Sequence, residues 1–147
     1  MKFEEVRAMV QGVPFISGAN AQYLYDLILR EKLLRILELG LAHGTATCYM
    51  AAALEELGGG AITSVDLTEA QKEFNPSPEE QLERLNLAKF VNIVRMQTGY
   101  TWFLHDEIRR LTSNDLCAPE YDLCIIDRKS TRLNSSHSRA SRMPSSA

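Results

Sequence analysis

The sequence predicts an α/β domain in which helices alternate with the strands of a parallel sheet. Its first strand is a short apolar run over residues 34–39, which breaks at Gly40 and Gly44 before residues that favour a helix. A second apolar run, over 61–66, ends in Asp66. Strand, glycine turn, helix, strand and acid, in that order, indicate a nucleoside-cofactor site. Glycines let the backbone approach a ligand, and the acid can accept two ribose hydroxyls.

The helix with the clearest start signal begins at Pro78. Ser77 stands at the N-cap, proline takes the first helical position, and Glu80 lies three residues after the cap. This arrangement satisfies backbone N–H groups that have no partner inside the helix, and it predicts a helix over 78–88.

The remaining elements follow from hydrophobic period and from glycine and proline breaks. We expect helices over 1–10, 20–31, 45–57 and 101–111, and strands over 90–96 and 121–126. Leu104, Ile108 and Leu111 would form the buried face of the last helix.

Three motifs resemble those of class I S-adenosylmethionine (SAM)-dependent methyltransferases. Glu38-Leu39-Gly40 with Gly44 is similar to the first motif, Asp66 to the ribose acid, and residues 121–127 to the fourth-strand motif. The resemblance spans about 12–127 and is greatest to the N-terminal half of small bacterial O-methyltransferases. Together with right-handed crossovers, it implies a truncated Rossmann-like methyltransferase fold with the strand order 3-2-1-4, which lacks the later strands of the family sheet.

The resemblance also implies roles for single residues. Asp66 would bind the ribose, and Asp127 would lie beside the transferring methyl group, where metal-dependent relatives have a magnesium ligand. The other implied cofactor contacts surround the methionine portion and the adenine, and they are Glu38, Gly40, His43, Gly44, Gly99 and Tyr100. The implied function is methyl transfer from SAM to a small-molecule acceptor, mainly through alignment of the reacting groups.

Two other classes of function remain open. An NAD-dependent oxidoreductase is weakened by the glycine spacing, because no glycine follows two residues after Gly40 as G-x-G-x-x-G requires. A non-catalytic nucleoside-binding or interaction module would gain support if Asp66 pointed away from the glycine loop. The sequence leaves open the methyl acceptor, the catalytic base, metal dependence and the oligomeric state.

The C-terminal segment resembles translated sequencing-library adapter. This resemblance covers residues 127–137 and 141–147, so both the adapter and the family motif account for an aspartate at 127. We therefore divide the chain into an incomplete SAM-binding domain, 1–127, and a disordered tail, 128–147. We expect the chain as written to be an inactive N-terminal fragment.

Composition excludes several classes of partner. The whole chain has a net charge of −3, but the tail holds five of the 16 basic residues and no acid, so residues 1–127 carry −8. That charge disfavours nucleic-acid binding, which needs clustered Lys and Arg. No apolar run suits a membrane span or a signal peptide, and the three cysteines lack metal-ligand spacing. We expect a cytoplasmic protein.

The assignment of the tail gives the first testable prediction. Deletion of residues 128–147 changes the thermal unfolding midpoint by less than about 2 °C, because seven serines and five basic residues offer little apolar surface to bury. Differential scanning calorimetry of the full and shortened chains measures the change. A much larger fall would show that the segment stabilises the core.

Overall fold

The computed structural model describes residues 2–14 and 16–126, so the predicted tail and Asp127 lie outside the described residues. Four parallel strands form its main sheet: β1 (Arg35–Leu39), β2 (Ala61–Leu67), β3 (Val91–Met96) and β4 (Leu123–Ile126). Their order is β3-β2-β1-β4, which confirms the predicted order and the truncated Rossmann-like fold class.

Helices cover both faces of this sheet. The five α-helices of the described residues are α1 (Phe3–Met9), α2 (Gly18–Glu31), α3 (Thr45–Leu57), α4 (Pro78–Arg84) and α5 (Tyr100–Leu111). One face packs against α3, and the side chains of Ile36 and Ile62 belong to that core. On the other face, Leu37, Leu39 and Val65 pack against residues of α5. No described helix has the length and apolar character that crossing a membrane requires.

Helix α3 is a middle layer rather than an outer helix. The sequence predicts one apolar side facing the sheet, but Cys48, Tyr49 and Met50 are all buried, as are the residues that follow through Leu54. The reason is that α1 and α2 pack on its outer side, so no face of its central turns meets solvent.

Other differences from the predicted elements have local causes. Helix α4 ends at Arg84 instead of 88, and Asn86 takes a left-handed backbone conformation (φ 57°) that stops the helix. The expected burial of Ile108 is wrong, since 59% of this residue is exposed; Leu104 packs on the sheet as expected, together with Phe103. The segment between α5 and β4 contains an unpredicted two-residue hairpin, Thr112–Ser113 paired with Leu116–Cys117.

Asp122 links β4 to β1 by hydrogen bonds at the amino ends of the two strands. One of its carboxylate oxygens, Oδ2, accepts hydrogen bonds from the backbone N–H groups of Leu34 and Arg35, both at 2.9 Å. These donors favour the ionised form and lower the pKa of Asp122. Asp122, which belongs to the predicted fourth-strand motif, therefore has a structural role.

Gly60 allows the turn between α3 and β2 to pass close to the start of β1. Its φ is +117°, and a Cβ atom there would lie 2.7 Å from both the Leu34 carbonyl oxygen and Cδ2 of Leu54. Gly59, next to it, has no atom within 4 Å of such a Cβ and no positive φ. The two neighbouring glycines therefore form a matched pair for substitution.

We predict that Gly60→Ala destabilises the domain by about 3 kcal/mol through backbone strain and overpacking, which lowers the unfolding midpoint by about 10 °C. Gly59→Ala is the control, and its midpoint stays level or rises slightly because alanine reduces the entropy of the unfolded chain. Thermal unfolding followed by circular dichroism measures both. Equal midpoints for the two variants would contradict the close approach at Gly60.

Candidate functional site

A five-residue loop, Gly40 to Gly44, leaves the carboxyl end of β1 and leads into α3. We call it the glycine loop. Gly40 and Gly44 have φ values of +99° and +71°, and Ala42 also has a left-handed conformation, with φ 49°. Such a conformation costs a non-glycine residue about 1 kcal/mol or more and persists only where surrounding contacts enforce it.

Asp66 supplies those contacts from the end of β2. The carboxylate is 5% exposed, and its Oδ2 accepts hydrogen bonds from the N–H groups of Leu41 (3.0 Å) and Ala42 (2.9 Å). Its Oδ1 accepts from the Leu67 N–H at 2.7 Å and from the Tyr100 hydroxyl at 3.2 Å. Asp66 therefore points towards the glycine loop and not away from it.

A second buried carboxylate, Glu38, lies one strand away. It is 2% exposed, and its Oε2 accepts hydrogen bonds from the hydroxyls of Thr47 (2.7 Å) and Ser64 (2.6 Å). Ser64 is the register partner of Glu38 on β2, so both side chains face α3. Burial, with the Glu38 charge nearby, also raises the pKa of the Cys48 thiol to about 12, which leaves this thiol protonated and unreactive.

A cavity of about 170 Å³ opens at this edge of the sheet. Its lining combines Glu38 and the glycine loop with the end of β4, namely Ile16, Leu24, Glu38, Leu41, His43, Thr45, Ala46, Ile125 and Ile126. The cavity therefore lies where the chain order reverses between β1 and β4. In open parallel sheets this switch point is the place where ligands bind.

A larger cavity of about 430 Å³ lies between α1 and the first turns of α3. Its charged lining residues are Glu4 and Arg7, which form an exposed ion pair with each other at 3.6 Å. Thr45, the first residue of α3, lines this larger cavity, but Glu38 and the glycine loop do not. The smaller cavity is the better candidate because it combines the switch point with a buried carboxylate.

The structure brings the sequence-predicted cofactor residues to one sheet edge. Gly99 is the N-cap of α5, and Tyr100, the first residue of that helix, reaches Asp66. His43 is partly buried, with Nδ1 at 2.8 Å from the Pro76 carbonyl oxygen and its ring 4.8 Å from that of Phe74. Asp127 lies outside the described residues.

Several residues at this edge were missed from the sequence. Ser64 had a usable signal, since strand alternation places it on the same face as Asp66. Gln81 and Pro78, which contact the glycine loop from α4, had none. Among the described residues, no group of three or more His, Cys, Asp or Glu side chains could hold a metal ion.

Solved structures of methyltransferases share this fold. The O-methyltransferase TomG from Streptomyces achromogenes, in complex with SAM, matches 94% of the chain with 16% identity and a TM-score of 0.61. An O-methyltransferase from Bacillus cereus, in complex with S-adenosylhomocysteine (SAH), matches 94% with 18% identity and a TM-score of 0.63. SAH-bound PaMTH1 from Podospora anserina matches 84%, with 14% identity and a TM-score of 0.61.

The match covers only part of these proteins. The chain spans 59% of TomG, 60% of the Bacillus cereus enzyme and 48% of PaMTH1. No curated protein sequence is significantly similar to the chain. A family model for a methyltransferase domain matches residues 37–140, a range that includes the glycine loop and Asp66 and extends into the adapter-like segment. The chain therefore belongs to this methyltransferase-domain family.

Proposed function

We propose that residues 1–127 are the SAM-binding part of a methyltransferase that transfers the methyl group to an oxygen of a small-molecule acceptor. The observation that carries the proposal is the charge at the switch point. Glu38 is the one acid among the described residues that line the cavity, and none of those residues is Lys or Arg. A buried carboxylate favours a cationic ligand, and SAM carries both a sulfonium and an ammonium group.

The backbone of the glycine loop supports the same choice over a dinucleotide. Dinucleotide folds direct loop N–H groups at a pyrophosphate. Here the N–H groups of Leu41 and Ala42 donate to Asp66, and that of Gly44 donates to the Leu41 carbonyl at 2.7 Å. A pyrophosphate would have to compete with Asp66 and the Leu41 carbonyl for these donors and would meet the charge of Glu38 nearby.

The arrangement also fits the parts of the cofactor. The 170 Å³ cavity is smaller than a typical whole-ligand site of about 300 Å³ or more, and it suits the methionine portion beside Glu38. Adenosine would extend along the sheet edge towards Asp66 and the start of α5. Because Asp66 already accepts four hydrogen bonds, binding of a ribose hydroxyl would replace the one from Tyr100.

SAM would supply the electrophilic methyl group. In this proposal, Glu38 binds the ammonium group, the glycine loop and Asp66 orient the cofactor, and Gly99 and Tyr100 flank the adenine. Asp127 remains the proposed residue beside the acceptor. The alternative function, a non-catalytic nucleoside-binding or interaction module, receives no support from the structure, because Asp66 points towards the glycine loop.

Isothermal titration calorimetry of the 147-residue chain with SAM, SAH and NAD tests this proposal. We expect SAM and SAH to bind and NAD to bind more weakly or not at all, for the electrostatic reason given above. Tighter binding of NAD than of SAM would overturn the assignment. The assignment would also be overturned if neither SAM nor SAH bound.

We predict that Asp66→Ala weakens SAM binding at least about tenfold, because the variant loses charged hydrogen bonds to the ribose and releases the N–H groups of the loop. Asp106→Ala is the matched control, since its exposed carboxylate (73%) lies on α5 and contacts only His105, at 3.5 Å, among the described residues. Calorimetry compares the two. Wild-type affinity in Asp66→Ala would exclude a role for this acid.

A further inference from the structure

The outer side of the glycine loop is held by the segment that follows β2. We call residues 74–81 the clasp. Its Pro78 packs on Gly44 so closely that a Cβ atom at Gly44 would lie 2.7 Å from Cβ of Pro78 and 3.1 Å from its Cα. Packing against Pro78 therefore leaves no room for a side chain at Gly44, whether or not a ligand is bound.

The clasp also holds the loop by polar contacts. Gln81 is 2% exposed, and its Nε2 donates a hydrogen bond to the backbone carbonyl of His43. The imidazole of His43 also contacts the clasp, because its Nδ1 lies 2.8 Å from the Pro76 carbonyl oxygen. Because a carbonyl oxygen only accepts, Nδ1 must carry the proton and be the donor.

An ion pair fixes the clasp to the sheet. Arg95 of β3 donates from Nη2 to Glu79 Oε1 at 2.8 Å, and the Arg95 side chain is only 14% exposed. Arg95 is the register partner of Asp66, so the inner and outer supports of the glycine loop rest on adjacent positions of β2 and β3. The loop is thus held between two elements that the sheet keeps at a fixed spacing.

We infer that Gln81 is a positioning residue for the cofactor site. The clasp holds the glycine loop in its strained left-handed conformation before the cofactor arrives, so binding does not have to order the loop. Preorganisation of this kind increases affinity by removing an ordering cost. This inference about affinity rests on the proposed function, whereas the effect of Gln81 on the loop does not.

Two measurements on Gln81→Leu test the inference. This substitution keeps the size of the side chain and removes its hydrogen-bonding groups. We expect amide hydrogen exchange at Leu41, Ala42 and Gly44 to become roughly fivefold to tenfold faster relative to the amides of β2, as loss of one buried hydrogen bond implies. The Kd for SAM, measured well below the unfolding midpoint, should rise by a similar factor.

Leu85→Val is the control for stability. Leu85 is 2% exposed and lies at the end of the same helix, so the smaller side chain weakens the core without touching the loop. We expect its unfolding midpoint to fall while loop exchange and SAM affinity stay at the wild-type values.

The outcomes distinguish the positioning role of Gln81 from the proposed SAM-binding function. Unchanged loop exchange in Gln81→Leu, or an equal change in Leu85→Val, would overturn the positioning role. Faster loop exchange with unchanged SAM affinity would overturn it too. If wild-type protein fails to bind SAM, the proposed function fails, and the exchange data still decide whether Gln81 holds the loop.

Discussion

The hydrogen bonds from the glycine loop to Asp66 are the interaction on which the candidate site depends. Ala42 adopts a conformation that alanine disfavours, and the carboxylate stabilises it by accepting from two consecutive N–H groups. Asp66 can do so because the parallel register places Leu39 opposite Val65, so the loop leaves β1 directly beside it. Strand pairing therefore determines the loop conformation, and the loop in turn forms one wall of the cavity.

Polar groups inside a hydrophobic layer explain why this edge suits a charged ligand. Two carboxylates are almost fully buried here, and each is hydrogen-bonded by neutral groups: hydroxyls at Glu38 and mainly backbone N–H groups at Asp66. Neutral donors stabilise an ionised carboxylate without cancelling its charge. The hydroxyl and N–H donors described at Glu38 and Asp66 therefore add no positive charge to this edge of the sheet.

The sequence predicted what local patterns encode. The strands and the glycine loop follow from apolar runs and glycine breaks, and the start of α4 follows from its capping residues. The strand order needed the family resemblance as well as crossover handedness. Burial on all sides of α3, the exposure of Ile108 and the contact between Gln81 and His43 depend on which elements meet in space. Such contacts join residues far apart in the chain, and neither periodicity nor propensity carries information about them.

One local signal nevertheless has a distant consequence. Ser77 accepts from the Glu80 N–H, and the Glu80 side chain accepts from the Ser77 N–H, so this capping box fixes the residue at which α4 begins. A helix start displaced by one residue would rotate its side chains by about 100° and turn Pro78 and Gln81 away from the glycine loop. The capping box thus sets the phase of α4, and that phase positions the outer support of the site.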